Sequence, residues 1–69
     1  MKFNYSKLLG RFREYGFTQK DIAERIGISH VTLSLKLNGK AQFHADEIAA
    51  ICRLLDIPAA DIGIYFFAA

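Results

Sequence analysis

The segment from Thr18 to Lys40, TQKDIAERIGISHVTLSLKLNGK, places the strongest constraint on how this chain can fold. Thr18 and Asp21 have the spacing of a capping box, with Asp in place of the usual Glu, and predict the start of a helix. Gly27 supplies the positive φ at which a helix ends sharply, and Ser29 is a favoured cap for the helix that follows. The segment is therefore predicted to form two short helices joined by a tight turn, which is the helix-turn-helix layout.

Apolar residues spaced at i, i+3, i+4 and i+7 predict two further helices. The stripes are Tyr5, Leu8, Leu9 and Phe12 in the first and Ile48, Ile51, Cys52 and Leu55 in the second. Pro58 can open a short fifth turn through Ile62, and residues 63–69 are apolar and rich in β formers. We therefore expect a single all-α domain over residues 1–69, a bundle of about five short helices with the helix-turn-helix at 18–38 and an extended apolar tail at 63–69.

Composition argues against several classes of function. A single cysteine, Cys52, forms no internal disulfide and lies on an apolar stripe, which indicates a reducing cytosolic setting and a buried, inert thiol. No apolar run reaches the roughly 18 residues of a membrane span, and the N-terminus lacks the apolar core of a signal peptide. The two histidines and the scattered carboxylates show no catalytic or metal-binding spacing. An enzyme is not expected, nor is a cofactor, a metal site or a small-molecule ligand.

Charge is distributed unevenly along the chain. Residues 1–45 carry eight Lys and Arg against three acidic residues, whereas residues 46–69 carry one Arg against four acidic residues. A basic N-terminal part could supply the phosphate attraction on which DNA binding depends. Ordinary solvated helix faces would give the same distribution, so charge alone leaves both interpretations open.

The second helix of the motif has an unusual outward face. At about 100° per residue, Leu33 and Leu37 define its buried side, and Leu35 lies opposite them beside Val31. The residues expected to face base edges in a DNA groove are His30, Val31, Thr32, Ser34 and Leu35. This face has no Arg or Gln for bidentate base contacts, although Val31 and Leu35 could meet thymine methyl groups. The alternative is that Val31 and Leu35 contact another part of the protein or a partner.

Phosphate contacts are expected at both ends of the motif. Gln19 lies at the start of the first helix, where a side-chain amide and backbone N–H groups can meet a phosphate. Asn38 and Lys40 follow the second helix, and Lys36 is the cation within it. Lys40 could equally be a solvated loop cation.

These residues carry a family resemblance. Gln19, Ala23, Gly27, Leu33 and the closing Asn38-Gly39-Lys40 resemble the Cro/C1-type (XRE-type) helix-turn-helix family, and the similarity covers residues 4–62. Short phage-encoded proteins of that type carry a similar Leu-Asn-Gly-Lys segment and a similar Tyr-Phe-Phe end. Two positions depart from the family: Lys36 stands where an apolar residue is usual, and Leu35 where Arg, Gln or another polar residue is often found.

The resemblance implies a lambda-repressor-like bundle that binds a double-stranded DNA operator as a homodimer. It implies a sequence-specific transcriptional regulator, a phage or prophage repressor or Cro-like protein, in the cytoplasm of a bacterial host. By matching position, phosphate contacts are implied at Gln19, Ser29, Asn38 and Lys40, and base-edge contacts at His30, Val31, Ser34 and Leu35. The alternative function is a protein-interaction module, antirepressor or antitoxin-like, that uses the same face and the aromatic tail.

The tail presents a choice between two roles. Ile64, Tyr65, Phe66 and Phe67 are consecutive large apolar residues, and in a strand alternate side chains point to opposite sides. They are therefore candidates for a dimer contact. The other possibility is that the tail folds back over the first helix, near Phe3 and Tyr5, and completes the core.

Overall fold

Five short α-helices make up the chain. The structure, a computed structural model, describes residues 3–69. The helices are α1 (Ser6–Glu14), α2 (Gln19–Ile26), α3 (His30–Leu37), α4 (Ala45–Leu54) and α5 (Ile62–Phe66), with a 3-10 turn at Ala59–Asp61 before α5. No strand occurs within this described range, and the expected all-α bundle is confirmed. No helix in the same range is long and apolar enough to cross a membrane.

Local side-chain caps fix where α2 and α3 begin. The Thr18 hydroxyl accepts the N–H of Asp21 at 3.1 Å, and the Asp21 carboxylate accepts the N–H of Thr18 at 2.9 Å. These bonds hold the pKa of Asp21 below its ordinary value. Ser29 caps α3 in the predicted way, since its hydroxyl accepts the N–H of Thr32 at 3.0 Å.

The tight turns use glycine where the backbone must become left-handed. Gly27 has φ 81° and ends α2, and Gly39 has φ 74° and follows α3. After each glycine the next N–H bonds back into the helix, from Ile28 to the Ala23 carbonyl at 3.0 Å and from Lys40 to the Leu35 carbonyl at 2.9 Å. The predicted turn between α2 and α3 is therefore confirmed.

A single apolar core joins all five helices. Both predicted stripes point into it, with Leu9 and Ile48 at its margin. The largest fully buried side chains are Leu8, Phe12, Ile22, Leu33, Ile51, Leu55 and Phe66. Cys52 is also buried, and burial raises the pKa of its thiol, as suits an inert residue.

The C-terminal segment departs from the expected extended tail. Ile62 to Phe66 form α5, and Ile62, Tyr65 and Phe66 share the i, i+3, i+4 spacing that places one helix face on the core. The helix satisfies its own backbone groups, whereas the bundle contains no strand with which an extended segment could pair. The Asn4 N–H then donates to the Ala68 carbonyl at 2.6 Å, so the end of the chain lies against its beginning.

Candidate interaction face on helix α3

Helix α3 presents an apolar patch to solvent. His30, Val31, Ser34 and Leu35 together line a shallow depression of about 240 Å³ on its outer side. Val31 is 71% exposed and Leu35 is 42% exposed. The sequence-predicted face is therefore brought together by the fold, and we call these four residues the α3 face.

Thr32 belongs to the edge of this face. It is half-buried, and its hydroxyl accepts a hydrogen bond from the Ser29 hydroxyl at 2.7 Å. Ser29 is exposed, but its side chain is engaged in capping α3. Any contact of either residue with DNA stays a prediction.

Lys36 does not lie where a phosphate contact requires it. Its side chain is buried, with the residue only 4% exposed, and its ammonium group forms an ion pair with the Glu47 carboxylate of α4. The expectation that Lys36 contacts DNA phosphate is therefore corrected. On the helical wheel Lys36 falls beside Leu33 and Leu37, so its departure from the family's apolar residue was the sequence signal for burial.

Glu47 is the functional partner that sequence reasoning missed. The same carboxylate oxygen that binds Lys36 accepts the N–H of His44 at 2.8 Å and so closes the first turn of α4. Burial raises the pKa of Glu47, but the hydrogen bonds from Lys36 and His44 outweigh it and leave the pKa below its ordinary value. This pair fixes α3 against α4.

The other predicted phosphate contacts lie near the ends of the motif. Gln19 is half-buried as the first residue of α2, and Lys40 is exposed after α3. The Asn38 amide donates to the Ser34 carbonyl at 2.9 Å, which satisfies the end of α3. Nothing bound to the chain tests these roles, and they stay predictions.

The four tail residues divide between core and surface. Phe66 is 1% exposed and stacks edge-to-face on Phe43 at 5.4 Å, so it is a core residue rather than a dimer contact. Tyr65 is half-buried, whereas Ile64 and Phe67 are 45% and 52% exposed. The tail thus completes the core and still leaves two apolar side chains in solvent.

Within residues 3–69, no group of three or more His, Cys, Asp or Glu side chains is placed to hold a metal ion. A cavity of about 280 Å³ lies between the loop after α3 and the C-terminal segment, and Tyr5, Phe43 and Phe66 are among its lining residues. Its aromatic walls belong to the core, and no charged residue lines it.

The fold and the α3 face define a small all-helical bundle with an exposed, largely apolar helix surface. The chain belongs to the family described as a protein of unknown function (DUF739), whose model matches residues 1–69. It is similar to the modulator of repression (MOR) of the temperate bacteriophage TP901-1 from Lactococcus lactis, with 42% identity and a TM-score of 0.81. The similarity covers 97% of this chain and 90% of that one. Among curated proteins, no sequence matches.

Proposed function

We propose that this chain is a phage regulatory protein that modulates repression, and that it acts by binding a regulatory protein through the α3 face. The observation that carries the proposal is the exposure of Val31 and Leu35 at the centre of that face. Large apolar side chains at the centre of a surface patch are typical anchors of protein interfaces. The phage relative, a modulator of repression, makes a repressor the first partner to test.

The charges around the face favour a protein over DNA. The α3 face contains no Lys, Arg or Gln, which are the side chains that most often read guanine or adenine. Lys36 is withdrawn into the ion pair with Glu47, so α3 offers no exposed cation to a phosphate. Binding to a protein would therefore depend on apolar contact and change little with salt.

Binding should be measured by fluorescence anisotropy between the labelled chain and the repressor of the phage that encodes it. The key variant is Leu35→Glu, and Ile64→Glu is the matched control because its side chain is exposed to a similar extent. We expect L35E to weaken binding by at least about tenfold, as for a central apolar anchor, and I64E to leave it unchanged. Equal binding by L35E and the original chain would reject the proposal.

Operator DNA is the second candidate, supported by the resemblance to the Cro/C1-type helix-turn-helix family. The exposed Ser29, Asn38 and Lys40, with Gln19 at the start of α2, lie at the motif positions that would clamp the DNA backbone. This function predicts that selection from random duplex DNA recovers an enriched motif. It also predicts an affinity that falls steeply with salt and with Lys40→Ala.

A two-fold operator would require a dimer, for which Ile64 and Phe67 are the exposed candidates. Deleting residues 64–69 would also remove the core residue Phe66, so substitution is the better test. Sedimentation of the chain and of the I64D/F67D variant at micromolar concentration separates the cases. A monomer in both would remove the dimer from the operator proposal.

A further inference from the structure

A second surface lies between the C-terminal ends of α2 and α4. A shallow groove of about 300 Å³ is lined there by Arg25, Ile26, Ala50, Arg53 and Leu54. Ile26, Ala50 and Leu54 are half-buried and form an apolar floor, and the two arginines are exposed at its borders. We call this surface the arginine groove, and it shares no residue with the α3 face.

The two guanidinium groups have no carboxylate partner along residues 3–69, where the ion pairs are Arg11–Glu14 and Lys36–Glu47. Asp21, one turn before Arg25 on α2, uses a carboxylate oxygen to accept the Thr18 N–H. Arg25 and Arg53 lie in the last turns of their helices, where they complement the helix dipoles. That interaction leaves their hydrogen-bond donors open to a ligand.

The groove is also partly preorganised. The Arg25 guanidinium lies 4.7 Å above the centre of the Phe17 ring, which restrains its side chain before any partner binds. A restrained arginine loses less conformational freedom when it forms a bidentate pair with a carboxylate.

We propose that the arginine groove binds an acidic amphipathic helical segment of a partner protein. The apolar floor accepts the leucine-like side chains that repeat at i, i+3 and i+4 on such a helix, and Arg25 and Arg53 pair with flanking carboxylates. A phosphate backbone would satisfy the arginines but would leave Ile26 and Leu54 uncovered. The groove therefore favours an acidic peptide over a nucleic acid.

The test uses a synthetic helical peptide with leucines at i, i+3, i+4 and i+7 and glutamates on both flanks. A matched peptide with Gln in place of every Glu is the control, and random duplex DNA is the third probe. Methyl NMR spectra of the full chain should shift at Ile26 and Leu54 with the acidic peptide. Affinity should fall at least about tenfold with the Gln peptide and with R25E/R53E.

Two further variants keep the result interpretable. R25Q/R53Q retains polar side chains that can cover the floor, and it should weaken the acidic peptide while circular dichroism confirms an intact fold. Lys20→Glu changes an exposed cation that does not line the groove, and it should have little effect. L35E should bind the peptide normally, so failure of the α3 face proposal and failure of this one are distinguishable. Unshifted Ile26 and Leu54 signals, equal affinity for both peptides, or displacement of the peptide by duplex DNA would each overturn the proposal.

Discussion

Replacing Lys36 with Met should destabilise the fold more than any surface change of the same size. Lys36 is 4% exposed and Glu47 is 9% exposed, so the variant leaves a buried carboxylate with the His44 N–H as its remaining hydrogen bond. Removing one partner of a buried ion pair costs about 3–5 kcal/mol. A domain of 69 residues has a total unfolding free energy of only about 3–10 kcal/mol, so K36M should lose a large part of it.

The measurement is urea unfolding followed by circular dichroism. For a small domain the slope is about 1 kcal/mol per molar urea, so the midpoint should fall by roughly 3 M or the cooperative transition should disappear. The companion variant K36M/E47Q removes both charges and keeps an amide oxygen that can accept the His44 N–H. It should recover most of the loss, because replacing a whole buried pair is often neutral. If K36M unfolds within about 0.5 kcal/mol of the original chain, as surface variants do, the reasoning from burial is refuted.

Acid unfolding gives an independent check on the same pair. The pKa of Glu47 in the folded chain lies below its ordinary value of 4.5. A lowered pKa stabilises the folded state above the ordinary value, and this stability is lost as the pH falls through the lowered pKa. The original chain should therefore lose stability below about pH 4.5 more steeply than K36M/E47Q, with the contribution of Asp21 common to both. Parallel pH profiles would contradict the assignment.

Three local substitutions are predicted in the same unfolding assay. Gly10→Ala should stabilise by about 0.5–1 kcal/mol, because Gly10 lies inside α1 and an added Cβ meets only the Arg13 guanidinium at 4.0 Å. Gly27→Ala should destabilise by about 1–2 kcal/mol, because φ is 81° there; the opposite order of these two alanines would contradict the described backbone. Phe66→Ala should cost about 3–5 kcal/mol if α5 is part of the core, and a loss below about 1 kcal/mol would return the segment to the surface.

The turn and the caps could be predicted because their physics is local. Thr18 and Asp21 satisfy each other's backbone groups across one turn, and Ser29 does the same for α3. Gly27 and Gly39 hold φ values that side chains disfavour, so their positions mark helix ends in the sequence itself. Such signals need no knowledge of the rest of the chain.

The tail could not be predicted because its pattern has no period. Ile62 and Ile64 to Phe67 are all large and apolar, so a strand and a helix bury equally plausible sets of side chains. The choice comes from distant contacts. Phe43 stacks on both Phe66 and Tyr5, at 5.4 Å between ring centres in each case, and this arrangement suits the helix.

The burial of Lys36 also explains why the candidate site differs from the one the motif implies. With Leu33, Lys36 and Leu37 all turned inward, α3 is held in an orientation that directs Val31 and Leu35 outward. The only cation in α3 is then neutralised by Glu47 instead of facing a phosphate. Long-range phosphate attraction from this helix is therefore weak, and its affinity for a partner must depend on apolar contact at short range. A face of that kind selects its partner by shape rather than by charge, which is why salt dependence is the property that best separates a protein partner from DNA.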